Sequence, residues 1–384
     1  MSDTRQWSAE DAADAVVPLE ELDRFDPPAA PPKHLAPRAS RTSETAGQAW
    51  PSPSEAPTPT RRNLWTANER TLTASHMTEE RMLRPRHAAP VRGWRRAVHQ
   101  ISAGLITPPP SAAQRDRQAR IAAASTPVSG SRVIAFVSTK GGVGKTTTCV
   151  NLGHTFASLR GDRVIAIDGN PDAGSLGYRI HRETPATVDQ LLAQADSLTR
   201  YADVRAFTSQ AGSRLEVIAA PTDPSISTAL GDVDYRRLLD LLEVHYQLLL
   251  VDCGTGILES ATRGIVEAAD QLVVVTGTSL DAARATSYLL DWLASHGHGE
   301  LASEAVAVVN GVSRSKHGRV DVDRVVDHFA DRCRHAVRVP FDDHLADGAS
   351  TSLEELAAPT RDAYLELAAA VATDFDRPHH PTNA

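Results

Sequence analysis

Three cysteines are few for 384 residues, and Cys149, Cys253 and Cys333 stand alone, with no Cys-x-x-Cys pair among them. That spacing argues against a disulfide framework or a zinc site and leaves small core residues as the expected role. Also missing is any apolar run of the roughly 18 or more residues that a membrane span requires. The N-terminus has no apolar secretory core, so the expected location is the cytoplasm, with a peripheral contact to the inner face of the plasma membrane left open. No internal repeat is visible. Positive charge is scarce where the chain reads as globular: residues 1–130 carry 17 Lys and Arg against 14 Asp and Glu, the remainder 23 against 34. A part with a net charge of −11 is poorly suited to non-specific contact with a phosphate backbone, so any nucleic-acid binding needs a local basic patch.

Residues 1–90 mix Pro27-Pro28, Pro31-Pro32, Pro51, Pro53, Pro57 and Pro59 with Ala, Ser, Thr and Arg. Apolar residues there are sparse and aperiodic, which predicts a disordered arm whose burial could not offset the entropy of ordering. Its acidic start, Glu10 to Asp26, reads as a solvated tail or a short partner-binding helix. Residues 91–130 form a basic linker. Trp94, Val98, Ile101 and Leu105 recur at helical spacing beside Arg95, Arg96 and His99, and Thr107-Pro108-Pro109-Pro110 ends that helix. It can dock on the following domain, grip a partner or lie on an anionic membrane, with docking or partner contact expected ahead of the membrane. A second helix is expected over Ala112–Ala124.

From residue 131 to 375, strand-like and helix-like stretches alternate, and residues 376–384 form a tail. The predicted strands are Val133–Ser138, Arg163–Ile167, Leu215–Ala219, Gln247–Val251, Gln271–Thr276, Ala305–Val309 and Val337–Val339. Most are continuous apolar runs, as strands covered on both faces should be. Helical patterns lie between them, so the fold class is α/β, a doubly wound and mostly parallel sheet.

Three strand ends in this region carry polar residues. Lys140-Gly141-Gly142-Val143-Gly144-Lys145-Thr146-Thr147 joins the first strand to a helix, the context of a phosphate-binding loop. Its backbone N–H groups and the helix dipole converge on an anion. Lys145 is placed to neutralise β- and γ-phosphates, and Thr146 to ligate Mg²⁺. A second end is Ile167-Asp168-Gly169-Asn170-Pro171-Asp172, and a third Val251-Asp252-Cys253-Gly254-Thr255-Gly256. Asp252, closing an apolar run, is the expected carboxylate for Mg²⁺. Gly254 and Gly256 give its loop the freedom of a nucleotide switch.

The loop resembles the deviant phosphate loop of the MinD/ParA ATPases, which carry a second lysine near its start, here Lys140. The resemblance covers about residues 130–375. It implies an ATP-dependent homodimer in which Lys140 reaches the partner's nucleotide, with Lys140, Lys145, Asp168, Asn170 and Asp252 as the catalytic set. Gly141, Gly142, Val143, Gly144, Lys145, Thr146 and Thr147 then cradle the phosphates, while Asn310, Pro340 and Asp342 surround adenine. Asp168-Gly-Asn-Pro resembles the first switch of that family, with one departure. Its second carboxylate is replaced by Asn170, which can orient a water but not take its proton, so hydrolysis is expected to be slow or to rely on Asp172 or backbone groups. The basic membrane-binding helix that ends MinD itself has no counterpart in Asp374-Phe375-Asp376-Arg377-Pro378.

No guanine-reading Asn-Lys-x-Asp or Thr-Lys-x-Asp follows the late strands, which favours ATP over GTP. The cysteines do not suit a shared iron–sulfur cluster, and a C-terminal tyrosine cluster is absent. The Pro-rich arm, the Gly93-Trp94-Arg95-Arg96 linker and Asp252-Cys-Gly-Thr-Gly also resemble actinobacterial MinD-like proteins, some of which accompany type VII (ESX) secretion. Two roles follow: spatial organisation in cell division or chromosome partitioning, or an accessory ATPase of a secretion machine. The arm is the expected site for a protein adaptor. DNA or membrane remains an open partner, and Ser313-Arg314-Ser315-Lys316-His317-Gly318-Arg319 is a candidate for phosphate contacts or a plain solvated loop.

Overall fold

A computed structural model describes residues 110–170, 174–221, 223, 230–256, 260–312 and 320–377. The N-terminal arm, the Trp94 helix, Asp172, the basic 313–319 loop and the last seven residues lie outside the described residues.

Eight strands form one sheet in the order β3-β4-β2-β5-β1-β6-β7-β8. They are β1 (Arg132–Val137), β2 (Val164–Gly169), β3 (Ser209–Gln210), β4 (Glu216–Ile218), β5 (Leu248–Cys253), β6 (Gln271–Gly277), β7 (Val306–Val312) and β8 (His335–Pro340). All pairings are parallel except β3 with β4. The expected class is thus the observed one, and β3, a polar two-residue edge, is the strand the apolar pattern does not reveal.

The central strands work as the continuous apolar runs require. Along β1, Val133, Ala135 and Val137 enter the core on one face of the sheet, while Ile134 and Phe136 enter that on the other. This is the two-residue period of a strand with both faces covered. The first face is closed by helices that follow in sequence: α1 (Ala112–Ala124) and α2 (Lys145–Leu159) belong to the opposite layer, whereas α3 (Asp232–Glu243), α4 (Ser260–Ala268), α5 (Leu280–Ser295) and α6 (Val322–Ala330) pack here. On the second face α1 and α2 are joined by α7 (Ala358–Val371). Gly153 lets α2 lie flat on the sheet, since a Cβ there would stand 2.8 Å from a methyl of Leu215 and 3.0 Å from one of Leu250.

The helix of the basic linker occupies its expected residues, and its Ser111 side chain accepts a hydrogen bond from the Gln114 N–H to cap it. It docks on α7 with Arg117 near Asp362 and Arg120 near Glu366, at 3.6 and 3.1 Å. These pairs are exposed and contribute little. More consequential is Arg160, 5% exposed, which donates to the carbonyls of Ala124 (2.9 Å) and Thr126 (2.6 Å). A cation at the last carbonyls of a helix satisfies acceptors that have no partner within it. The packed body therefore begins upstream of residue 131.

Two buried polar groups show how the interior is balanced. Glu216, in β4, accepts from the hydroxyls of Tyr201 (2.5 Å), Tyr246 (2.6 Å) and Thr208 (2.7 Å), so its burial is compensated. His154, in α2, contacts the Ser213 hydroxyl at 2.7 Å, and burial lowers its pKa to about 4. A depressed folded-state value means that the unfolded chain binds more protons. Stability is then full above about pH 6.5 and is lost as pH falls towards 4, by about 3 kcal/mol. Urea unfolding at pH 7, 5.5 and 4 should show this loss, and His154→Gln should remove most of it.

Candidate functional site

Asp168 and Asp252 lie side by side in the register of β2 and β5, and Asp252 is opposite Phe136 of β1. Each aspartate is the penultimate residue of its strand, so the pleat fixes it. The loop leaving β1 reaches the same carboxyl edge, where parallel sheets bind ligands.

Gly142 and Gly144 have φ of 76° and 87°, a left-handed backbone that favours glycine. At Gly144 space is limiting as well, because a Cβ would fall 1.9 Å from Nδ2 of Asn310. The Asn310 amide donates to the Val143 carbonyl at 2.9 Å and so props the loop from β7. Side chains cap α1, α5 and α6 through Ser111, Ser279 and Asp321, but none caps the first turn of α2. An uncapped helix start behind a glycine-rich turn is an anion site in waiting.

Lys145 is 7% exposed and donates to Oδ1 of Asp252 at 2.6 Å and to the Cys253 carbonyl. Burial pulls its pKa down, yet the adjacent Asp252 carboxylate outweighs this and raises it. Thr146 donates to Oδ2 of Asp252 at 2.5 Å and lies 3.3 Å from the Ser175 hydroxyl. Asp168 is fully buried and accepts from the N–H groups of Leu176 (3.0 Å) and Asn170 (3.3 Å). Burial, and then the charge of Asp252, push its pKa up to about 7. With both oxygens so committed, Asp168 ties the two ends of the switch segment to β2.

A cleft of about 800 Å³ opens above these groups. Lys140 to Thr147, Asn170, Asn310, Pro340 and Asp342 all line it, so the sequence-derived binding residues converge on one space. The Asp342 side chain, however, faces its own turn: its oxygens accept from His344 (3.1 Å) and Ala357 (2.9 Å). Burial opposes ionisation there, but the nearby Thr360 hydroxyl and the N–H groups of Ala357 and His344 hold the carboxyl below its ordinary range. Lys140 stands at the rim in an ion pair with Asp281, at the start of α5. The cleft also holds Ser175, Arg179, Thr255 and Phe341. Of these Arg179 carries no motif that would mark it in the sequence. All three cysteines are buried, and burial raises the Cys253 thiol to about 12, so it is not poised to react.

The Thr146 hydroxyl and Asp252 carboxylate fit a magnesium ion that keeps waters and shares phosphate oxygens. Among the described residues there is no cluster of three or more His, Cys, Asp or Glu that could form an all-protein cage. No described helix is long and apolar enough to cross a membrane.

The ESX-1 secretion-associated protein EspI of Mycobacterium tuberculosis is 39% identical to the chain over 291 residues, which is 74% of this chain and 43% of EspI. The chain thus spans less than half the length of that relative. The sporulation initiation inhibitor protein Soj of Bacillus subtilis is 28% identical over 261 residues, covering 63% of this chain and 99% of Soj. Among solved structures, a ParA family ATPase from Chlorobium tepidum superposes with a TM-score of 0.53 at 19% identity, over 62% of this chain and 98% of that one. Residues 134–384 match the model of the CobQ/CobB/MinD/ParA nucleotide binding domain, and the chain belongs to that family.

Proposed function

We propose that the chain is a Mg-ATP-dependent dimerisation switch with slow ATPase activity. The observation that carries this is the convergence of Lys145, Thr146 and Asp252 under an uncapped helix start, with Lys140 exposed at the rim of the same cleft. The loop N–H groups and Lys145 bind the phosphates, and Thr146 and Asp252 hold the metal. Magnesium, when bound, neutralises charge on the phosphate oxygens. Gly141, Gly142, Val143, Gly144 and Thr147 shape the cradle, while Asn310 and Pro340 flank the base. Lys140 completes the site of a second copy. Light scattering with ATP, a slowly hydrolysed analogue and ADP should give a dimer with the first two and a monomer with ADP. A monomer under all three conditions would remove the switch.

Asn170 lines the same cleft. Its amide orients a water but cannot accept a proton, so Asn170→Asp should raise turnover by roughly 10-fold or more. Phosphate release at saturating ATP measures this, and an unchanged rate would end the account of that position.

Two cellular roles remain. Positioning in division or chromosome partitioning is supported by similarity to the chromosome partitioning protein ParA of Caulobacter vibrioides and the septum site-determining protein MinD of Bacillus subtilis. A place beside a type VII secretion machine is supported by the higher identity to EspI. That similarity covers 74% of the chain, more than residues 134–384 amount to, so it extends into the linker before β1. We favour the secretion role on this ground, with the N-terminal arm as the adaptor-binding segment. A Lys145→Ala strain that loses secretion while keeping normal septa and nucleoids would support it. DNA- or membrane-stimulated ATPase activity would favour positioning instead.

A further inference from the structure

Arg179 closes the short 3-10 turn Leu176–Arg179 that follows the first switch, and it lines the cleft. Its Nη1 is cut off from water and has no hydrogen-bond partner, and no carboxylate pairs with it among the described residues. Two other arginines, the buried Arg160 and the exposed Arg214, are satisfied by protein acceptors. Arg160 donates to two carbonyls and to Asp162, and Arg214 donates to the carbonyls of Ala157 and Arg160 at 2.7 and 2.6 Å. A guanidinium cannot shed its charge, so a partly desolvated fork without an anion is a standing cost to the fold.

The surroundings hold this side chain in place. The Arg179 carbonyl accepts from the Thr351 N–H at 2.9 Å. Gly348, with φ of 70°, approaches so closely that a Cβ there would stand 3.4 Å from Nη1. The segment that includes Gly348 and Thr351 therefore closes against the arginine. Leu345, Ala346 and Gly348 line the cleft beside it, and they lie on the base side, after Pro340. Lys145, Thr146 and Asp252 serve the other end of the phosphate chain.

We infer that Arg179 is a phosphate-binding residue, whose guanidinium takes oxygens of the α- and β-phosphates of the bound nucleotide. This rests on the nucleotide-binding reading above. Planar bidentate contact with phosphate is what the fork is shaped for, and a lysine reproduces the charge without that geometry. The cost of holding the free cation is recovered when an anion arrives.

Calorimetry on the full chain with MgATP and MgADP, together with melting curves without nucleotide, tests the assignment. Arg179→Gln should bind both nucleotides about 10- to 100-fold more weakly, on the scale of one charged hydrogen-bonded contact, with the ATP-to-ADP ratio unchanged. Arg179→Lys should recover part of the affinity. Without nucleotide, Arg179→Gln should melt no lower than the parent, because it removes a partly buried guanidinium whose Nη1 has no partner. A structural arginine would give the opposite result: a lower melting temperature with affinity retained. Unchanged affinity, or a loss confined to ATP, overturns the assignment while the parent still binds and Lys145→Ala does not. A parent chain that binds neither nucleotide overturns both readings.

Discussion

Lys145→Ala is expected to abolish nucleotide binding and to destabilise the folded chain by roughly 3 kcal/mol, since it strips the cation from a buried ion pair. Asp252 is 1% exposed and gives one oxygen to Lys145 and the other to Thr146. Removing the ammonium leaves that carboxylate beside Asp168, whose pKa already stands at about 7 and which Lys145 helps to hold down. Without Lys145 the Asp168 proton is held more tightly still. A raised folded-state pKa contributes stability at low pH and loses it as pH rises through the folded value, so the defect should deepen between pH 6 and 8. Urea unfolding at those two values, beside calorimetry with MgATP, separates the two effects. Adding Asp252→Asn should return much of the stability and none of the binding. A Lys145→Ala chain as stable as its parent at pH 8 would show that the aspartates are hydrated, contrary to their burial.

The parts of this fold that were legible in the sequence were those governed by local rules. Continuous apolar runs marked β1, β5 and β6 because both faces of each strand are covered, and the second linker helix was expected over Ala112–Ala124, where it lies. Their ends were less legible. Lys145, Thr146 and Thr147 already belong to α2, and Asp168 and Asp252 belong to their strands. Parallel pairing in register extends β2 and β5 to the aspartates, a constraint that only the neighbouring strand supplies. The same limit applies in the cleft. Asn310 is quoted by family resemblance as an adenine contact, yet its amide supports the loop at Val143. The environment of Arg179 is made by Gly348 and Thr351, which are distant in sequence. No periodicity or spacing encodes such contacts.

Lys140→Ala should weaken ATP-dependent dimerisation by about 100-fold or more, the scale expected when one partner of a buried charge contact across an interface is removed. In the single chain Lys140 pairs with Asp281, with both side chains substantially exposed. A pair in that setting contributes about 0.2–1 kcal/mol, so it holds the lysine only weakly. A nucleotide phosphate on a second copy offers a stronger, desolvated anion. The same weak pair makes a second variant informative, because Asp281→Ala frees Lys140 without deleting it. Dimerisation should then occur at protein concentrations up to about 5-fold lower, matching the loss of a surface pair worth up to 1 kcal/mol. Exchanging the charges with Lys140→Asp and Asp281→Lys should restore the intramolecular pair and leave the dimer absent. Light scattering over a range of protein and salt concentrations reads all three. If Lys140→Ala dimerises like the parent, Lys140 is a surface residue paired with Asp281, and its displacement towards a partner's phosphate is not what drives assembly.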